Sequence, residues 1–142
     1  MIAGDEAMTT RRAACACGQL RLACEGEPIR VSVCHCTACQ HRTGSVFGVA
    51  AGYAREKVTV AGEAVEFMRT GDEGTRIVFR FCPGCGSTVC WEQPDYPGSI
   101  AVAVGAFADP GFTPQPSRSI YDASRRHAWV DVKPAGPLER RG

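Results

Sequence analysis

Residues 76–92 have the sequence RIVFRFCPGCGSTVCWE, in which two strand-like runs flank a compact C-P-G-C-G turn. Every second residue of the first run, 76–81, is Ile or Phe, and this alternation is typical of a half-buried β-strand. In the turn, Pro83 restricts one φ angle, while the glycines allow positive φ and a close approach of the backbone to sulfur. The stretch therefore predicts two strands joined by a turn whose thiols, Cys82 and Cys85, are suited to metal binding.

The same period-two pattern recurs along the chain and predicts an all-β fold with little helix. No window of eleven or more residues keeps a helical apolar stripe without an interrupting Gly or Pro, so at most a turn or two of helix is expected, at 37–41. Gly26 and Pro28 mark a turn, which predicts a first hairpin between 20–22 and 29–33. Further strands are predicted at 58–60, 65–68, 77–81, 88–92, 100–104 and 128–132.

Length and charge limit the classes of function. The 142 residues include 16 Lys and Arg against 15 Asp and Glu, and this length predicts one domain over 13–133 with flexible extensions at 1–12 and 134–142. A formal net charge of +1 produces no field to attract phosphate backbones, so no nucleic-acid partner is expected. No apolar stretch approaches the ~20 residues that cross a bilayer, and the start of the chain does not resemble a secretory signal. A cytoplasmic protein without a membrane partner is predicted.

Nine cysteines are present, and seven of them form three close groups. The groups are C-x-C at 15–17, C-x-C-x-x-C at 34–39 and C-x-x-C at 82–85. Because cytosolic thiols stay reduced, such close groups favour zinc over a disulfide framework, with redox pairing as the minority alternative. The other two, Cys24 and Cys90, lie in apolar strand patterns and are expected to pack as small hydrophobic side chains.

Two of the cysteine groups together match a structural zinc site. Such a site needs four Cys or His ligands in tetrahedral geometry, and pairs from distant segments usually supply them. Cys15 and Cys17 offer the partner pair for Cys82 and Cys85. A zinc ion bound by all four thiolates would link the N-terminal strand to the strand that ends at Phe81, so its predicted role is stability.

The middle group has a different character. Cys34, Cys36 and Cys39 place three thiolates within six residues, and three ligands leave one coordination position of zinc free. A free position is typical of a catalytic zinc, where water, a substrate thiolate or a carbonyl oxygen can bind. The sequence therefore predicts a catalytic zinc at this group.

Other interpretations of the middle group stay open. His35 could be a fourth ligand, as could the distant His41 or His127, although His35 is favoured as a residue outside the coordination sphere. The group could also be a redox centre or an inert structural cluster.

The residues that follow the middle group are predicted to contact a substrate. Arg42 could attract carboxylates. Backbone N–H groups over 43–45, which include Gly44 and Ser45, could stabilise developing negative charge. Phe47 is the preferred candidate for a pocket wall.

From Cys15 to about Val132, the order C-x-C, C-x-C-x-x-C and F-C-x-x-C-G-S resembles the glutathione-dependent formaldehyde-activating enzyme family, which carries the CENP-V/GFA domain. The stretches 43–45, 102–105 and 129–130 resemble other landmarks of that family. One departure is visible, because many relatives carry a His directly before an Ile late in the chain, where this sequence has Ser119.

The resemblance implies an Mss4-like fold of short antiparallel strands, with a structural zinc at the outer cysteine groups and a catalytic zinc at the middle group. It also implies a carbon–sulfur lyase, for which glutathione and formaldehyde combine reversibly to S-(hydroxymethyl)glutathione. The leading hypothesis is a zinc enzyme whose open site binds a thiol, glutathione, as the thiolate that adds to formaldehyde or another small electrophile. The alternative is a non-catalytic zinc-binding module that holds a protein partner.

Overall fold

The computed structural model describes residues 9–142, which contain eleven strands, one α-helix and three single-turn 3₁₀ helices. Helix α1 spans Thr37–Thr43. No helix in this part of the chain has the length and apolar character needed to cross a membrane. The all-β prediction with little helix is confirmed. The strands β1 to β11 are Thr10–Ala14, Arg21–Glu25, Arg30–Cys34, Gly48–Ala54, Val58–Ala61, Val65–Thr70, Arg76–Phe81, Thr88–Glu92, Ser99–Ala103, Arg118–Ile120 and Glu139–Arg140.

The strands form two sheets. The smaller has the order β1-β2-β5, and the larger has the order β11-β10-β3-β4-β9-β8-β7-β6. Strands β6 to β9 are a consecutive antiparallel meander, as the alternating sequence pattern predicts. Strand β10 departs from this arrangement because it pairs in parallel with both β3 and β11.

The core comprises buried side chains from both sheets. In the central strands of the large sheet, Ala51, Cys90 and Val102 lie opposite one another and are all 0% exposed. Leu22 and Cys24 of β2 belong to the same core cluster. Because side chains alternate across a strand, the sequence neighbours of these residues project from the other face of the large sheet, where a cavity lies.

Cys24 tests the assignment of the two isolated cysteines to the core. Its side chain is fully buried, and burial raises the pKa of its thiol to about 12. Cys24→Ala removes one packed sulfur atom, so we expect the free energy of unfolding to fall by about 1 kcal/mol. The metal content should not change. Urea denaturation and elemental analysis check the two expectations, and a loss of metal would show that Cys24 is a ligand.

The predicted hairpin between 20–22 and 29–33 is wrong. Strand β2 lies between β1 and β5, whereas β3 lies between β4 and β10 in the other sheet. The turn at Gly26 carries the chain from one sheet to the other, and the N–H of Ile29 then donates to the carbonyl of Gly52 in β4 at 2.7 Å. The chain does bend at Gly26, where φ is +79°, but the strands that the bend connects pair elsewhere.

The strand predicted at 128–132 is also wrong. These residues form a turn and irregular backbone, with one turn hydrogen bond from the N–H of Val130 to the carbonyl of His127 at 2.9 Å. Trp129 is 75% exposed. No residue of 128–132 pairs with a strand of the described chain. The only contact from β11 to this stretch among the hydrogen bonds of the described residues is made by the side chain of Arg140, which donates to the carbonyl of Val132 at 3.1 Å and contacts Asp131 at 3.4 Å.

The structure describes part of the predicted N-terminal extension and all of the predicted C-terminal tail. Residues 10–12 belong to β1, so the proposed boundary after residue 12 falls inside a strand; residues 1–8 lie outside the described residues. At the other end, β11 pairs with β10, and the guanidinium of Arg140 contacts Asp122 at 3.1 Å. The tail at 134–142 is therefore partly held against the large sheet.

Candidate metal centres and the cavity beside them

Four cysteines from the first and last groups converge at one point. The sulfur atoms of Cys15, Cys17, Cys82 and Cys85 all lie within 4.8 Å of one another. The Sγ atom of Cys17 is 3.6 Å from those of both Cys15 and Cys82. Tetrahedral zinc with Zn–S distances near 2.3 Å requires S···S separations of about 3.8 Å. The group is therefore of the right size to hold a metal ion.

Neighbouring polar groups favour the thiolate form of two cysteines in this first cluster, whereas contacts with Cys15 and Cys82 help to raise the pKa of Cys17 to about 11. Gln19 Nε2 donates to the Sγ atom of Cys82 at 3.0 Å, and this contact lowers the pKa of Cys82. The hydroxyl of Ser87 lowers the pKa of Cys85 to about 5. Since metal binding requires deprotonated thiols, the contacts of Cys82 and Cys85 favour the ligand form of these two residues.

The fold explains how residues so distant in sequence meet. Cys15 directly follows β1 of the small sheet, while Cys82 follows β7 of the large sheet. A Cβ atom on Gly84 would lie 3.6 Å from the sulfur of Cys82 and 3.9 Å from that of Cys17, so the turn runs close to the sulfurs. A metal ion here would join the two sheets.

The middle group also converges. Cys34 ends β3, Cys36 is the N-cap of α1 and Cys39 lies in its first turn, and their sulfur atoms lie within 4.8 Å of one another. The Sγ atom of Cys36 accepts a hydrogen bond from the N–H of Cys39 at 3.3 Å. The thiol of Cys34, with a further contribution from the Arg42 guanidinium, lowers the pKa of Cys39 to about 5. The three sulfurs could hold a metal ion through one short segment.

None of the three candidate histidines completes the middle group within residues 9–142. His35 is 0% exposed, and its Nε2 atom is 2.9 Å from the hydroxyl of Ser119, which donates to Asp122 at 2.6 Å. His41 is exposed on α1, and the ring of His127 lies 5.6 Å from that of Trp129. This placement favours the interpretation of His35 as a residue that positions the cysteine segment.

A cavity of about 420 Å³ lies directly beside the middle group, whose three cysteines line it. Phe79 and Trp91 form part of its apolar wall, and the guanidinium of Arg42 stacks 4.2 Å from the centre of the Trp91 ring. Arg42 reaches this position over Gly48, where an added Cβ would come within 2.7 Å of its Nη2 atom. The structure thus places one predicted substrate-binding residue, Arg42, in the cavity.

The other predicted substrate-binding residues lie outside this cavity. The N–H of Gly44 donates to the carbonyl of Gln40 at 2.8 Å and ends α1, while the N–H of Ser45 donates to Oγ1 of Thr43 at 3.0 Å. These N–H groups are therefore already bonded. The ring of Phe47 packs edge-on against that of His35, away from the cavity wall. Proximity in sequence therefore did not place these residues in this cavity, and their contact with a substrate stays a prediction.

Comparison with known proteins identifies the family. The model of a family described as glutathione-dependent formaldehyde-activating enzyme matches residues 10–124. The chain belongs to this family. A comparison with curated proteins finds no match. A crystal structure of a Rhodobacter sphaeroides protein is similar to this family member, with a TM-score of 0.52 and 19% sequence identity. The match covers 72% of this chain and 91% of that chain. At this level of identity, the similarity supports the fold alone.

Ser119 lies where many relatives of this family carry a His, and its side chain is buried and hydrogen-bonded. It is 0% exposed in β10, and its hydroxyl bridges His35 and Asp122. In this family member, the hydroxyl therefore supports the cysteine segment from behind the cavity. The next residue, Ile120, lines the cavity itself.

Proposed function

We propose that this protein is a cytoplasmic zinc-dependent carbon–sulfur lyase that adds glutathione reversibly to formaldehyde or another small electrophile. The observation that carries the proposal is the group of three cysteines, Cys34, Cys36 and Cys39, at the wall of a cavity of about 420 Å³. In this proposal the other four clustered cysteines, Cys15, Cys17, Cys82 and Cys85, hold a structural zinc.

The ligand sets fit zinc, because soft thiolates select zinc over magnesium or calcium. A zinc ion bound by Cys34, Cys36 and Cys39 would supply an open coordination position that lowers the pKa of a substrate thiol and polarises a carbonyl group. The protein holds these three ligands through the hydrogen bonds of His35 and through Gln40, whose Nε2 donates to the carbonyl of His35 at 2.9 Å.

The balanced reaction forms one carbon–sulfur bond. The substrate thiolate donates an electron pair to the carbonyl carbon, the C=O π pair moves to oxygen, and that oxygen takes up the proton released by the thiol. The reverse reaction breaks the same bond. Arg42 beside the cysteine group would orient an anionic group of the substrate, while Phe79 and Trp91 supply an apolar wall of the cavity.

The test is the rate of thiol–formaldehyde interchange. Because the adduct also forms without catalysis, the exchange must be measured with and without enzyme. Two-dimensional exchange NMR of glutathione and S-(hydroxymethyl)glutathione at equilibrium gives this rate. The zinc content of the same protein sample is determined in parallel. We expect two zinc ions per chain and an exchange rate that increases in proportion to enzyme concentration. Cys24→Ala is the control and should keep this rate.

An exchange rate equal to that of buffer, from protein that holds both metals, would contradict the lyase assignment. In that case a non-catalytic zinc-binding module for a protein partner would be the better description. Ultraviolet spectra of the cobalt-substituted protein distinguish the two cases, because only an open metal site changes its sulfur-to-metal absorption when glutathione is added.

A further inference from the structure

A second cavity extends the first one along the large sheet. It has a volume of about 210 Å³, and it shares wall residues with the first cavity, among them Ser32, Ala50 and Trp91. Every second residue of a strand lies on the same face, and in β3 these residues are Arg30, Ser32 and Cys34. A groove therefore runs from the middle cysteine group along β3 and β4 to Arg30.

Small residues of β4 make room for arginines at both ends of this groove. Gly48, Ala50 and Gly52 lie on the face that lines it. At the near end, Arg42 lies over Gly48. At the far end, Arg30 lies over Gly52, where an added Cβ would be 3.5 Å from Cγ of Arg30.

Two arginines lie at the far end of the groove, and the carboxylate nearest to Arg118 in the sheet is that of Glu139 in β11. Within residues 9–142, neither Arg30 nor Arg118 takes part in an ion pair. The Nε atom of Arg118 donates to the hydroxyl of Ser32 at 3.2 Å. Burial, together with the positive charges of Arg30 and Arg141, lowers the pKa of Arg118.

Nearby carboxylates are already engaged. Glu92, which also lines the second cavity, contacts both Arg55 and Arg80. Glu139, close to Arg118, pairs with Arg141 at 2.7 Å. Arg30 is exposed and Arg118 is half-buried, and both line the second cavity. Two guanidinium groups that are not ion-paired offer several N–H donors and positive charge to an anionic group that enters it.

We propose that Arg30 and Arg118 form a carboxylate-binding subsite, which selects an elongated thiol whose carboxylate lies far from its sulfur. This inference rests on the proposed function, because it assumes that the thiol binds at the middle cysteine group. Four residues along β3 separate the Cα atoms of Cys34 and Arg30 by about 13 Å. In glutathione the sulfur is on the middle residue, so in an extended conformation a terminal carboxylate lies roughly 7 Å from it, and the arginine side chains cover the remaining distance. A thiol of the size of cysteine is too short to reach both ends.

The test measures binding of two thioethers by isothermal titration calorimetry. S-methylglutathione keeps both carboxylates and the full length of a tripeptide, whereas S-methylcysteine has only a carboxylate close to sulfur. Neither probe has a free thiol, so binding does not depend on a metal–thiolate bond or on turnover. We compare the metal-loaded wild type with the double variant Arg30→Gln/Arg118→Gln and with the control Arg12→Gln/Arg21→Gln, which makes the same charge change on the small sheet.

We expect the double variant to bind S-methylglutathione at least tenfold more weakly than wild type, while the control binds it normally. Affinity for S-methylcysteine should be the same in all three proteins. Circular dichroism confirms that each protein is folded. Equal affinities of wild type and double variant for S-methylglutathione, or no binding to wild type, would overturn the subsite.

Kinetics separate failure of the subsite from failure of the proposed function. If the lyase is active, the double variant should raise KM for glutathione with little change in kcat. Arginine-dependent binding of S-methylglutathione without lyase activity would retain the subsite and reject the lyase. Lyase activity that is insensitive to both arginines would retain the lyase and reject the subsite.

Discussion

Cys82→Ser is expected to leave the purified protein unfolded or aggregated at room temperature. Cys82 is 0% exposed, and its sulfur lies in the cluster that joins the two sheets. A structural zinc contributes roughly 10–16 kcal/mol of binding free energy, which is as large as the roughly 5–15 kcal/mol of stability of a typical domain. Loss of one of four thiolates therefore removes most of what holds the folded state. Far-UV circular dichroism and zinc content after purification measure the effect.

Cys90→Ser is the matched control for this prediction. Cys90 is also 0% exposed, and the substitution makes the same chemical change at a buried position outside both clusters. We expect it to fold, to keep both metals and to lose about 1–3 kcal/mol, because its hydroxyl is buried in the core. A Cys82→Ser protein with native circular dichroism and full zinc content would contradict the structural role of the first cluster.

Unlike Cys82→Ser, the variant Cys36→Ser is expected to stay folded but to lose one metal ion and its activity. Cys36 is the N-cap of α1, and its sulfur accepts the N–H of Cys39. Serine is a preferred N-cap residue, so its hydroxyl can replace this hydrogen bond. The substitution therefore removes a metal ligand with little damage to the helix. We expect one zinc ion fewer per chain and a loss of at least about 100-fold in enzyme-dependent exchange.

The comparison with Cys36→Ala isolates the role of the N-cap. The alanine variant loses both the ligand and the cap, so it should be about 1 kcal/mol less stable than the serine variant while being equally inactive. Urea denaturation and exchange NMR measure the two quantities. If Cys36→Ser unfolded as extensively as Cys82→Ser, the division into a structural and a catalytic centre would be wrong.

The cysteine groups that could hold metal ions were predictable because the decisive information is local. C-x-C and C-P-G-C-G can bring two sulfurs within chelating distance through a local turn, and C-x-C-x-x-C can bring three. The meander from β6 to β9 could also be predicted from the sequence. Apolar and polar residues alternate in its strands, and strands that are neighbours in sequence pair in space. Only the pairing of the first and last groups required a nonlocal assumption, and it agreed with the convergence of the four sulfurs.

The residues that form the wall of the cavity could not be predicted from local sequence in the same way. Phe47 follows the cysteine group in sequence, yet the end of α1 turns it toward His35, while Trp91 and Phe79 reach the cavity from distant strands. Arg30 and Arg118 are 88 positions apart, and they become neighbours only because β10 returns in parallel beside β3. No local pattern signals such a pairing.

Local sequence is therefore enough to specify the class of the fold and the cysteine groups that could hold metal ions, because alternation and ligand spacing act over a few residues. Tertiary contacts set which strands share a sheet, which side chains face the cavity and where Arg30 and Arg118 meet. These features depend on strand pairings across long loops, such as β3 with β10, whose energy comes from packing partners that the local sequence does not specify.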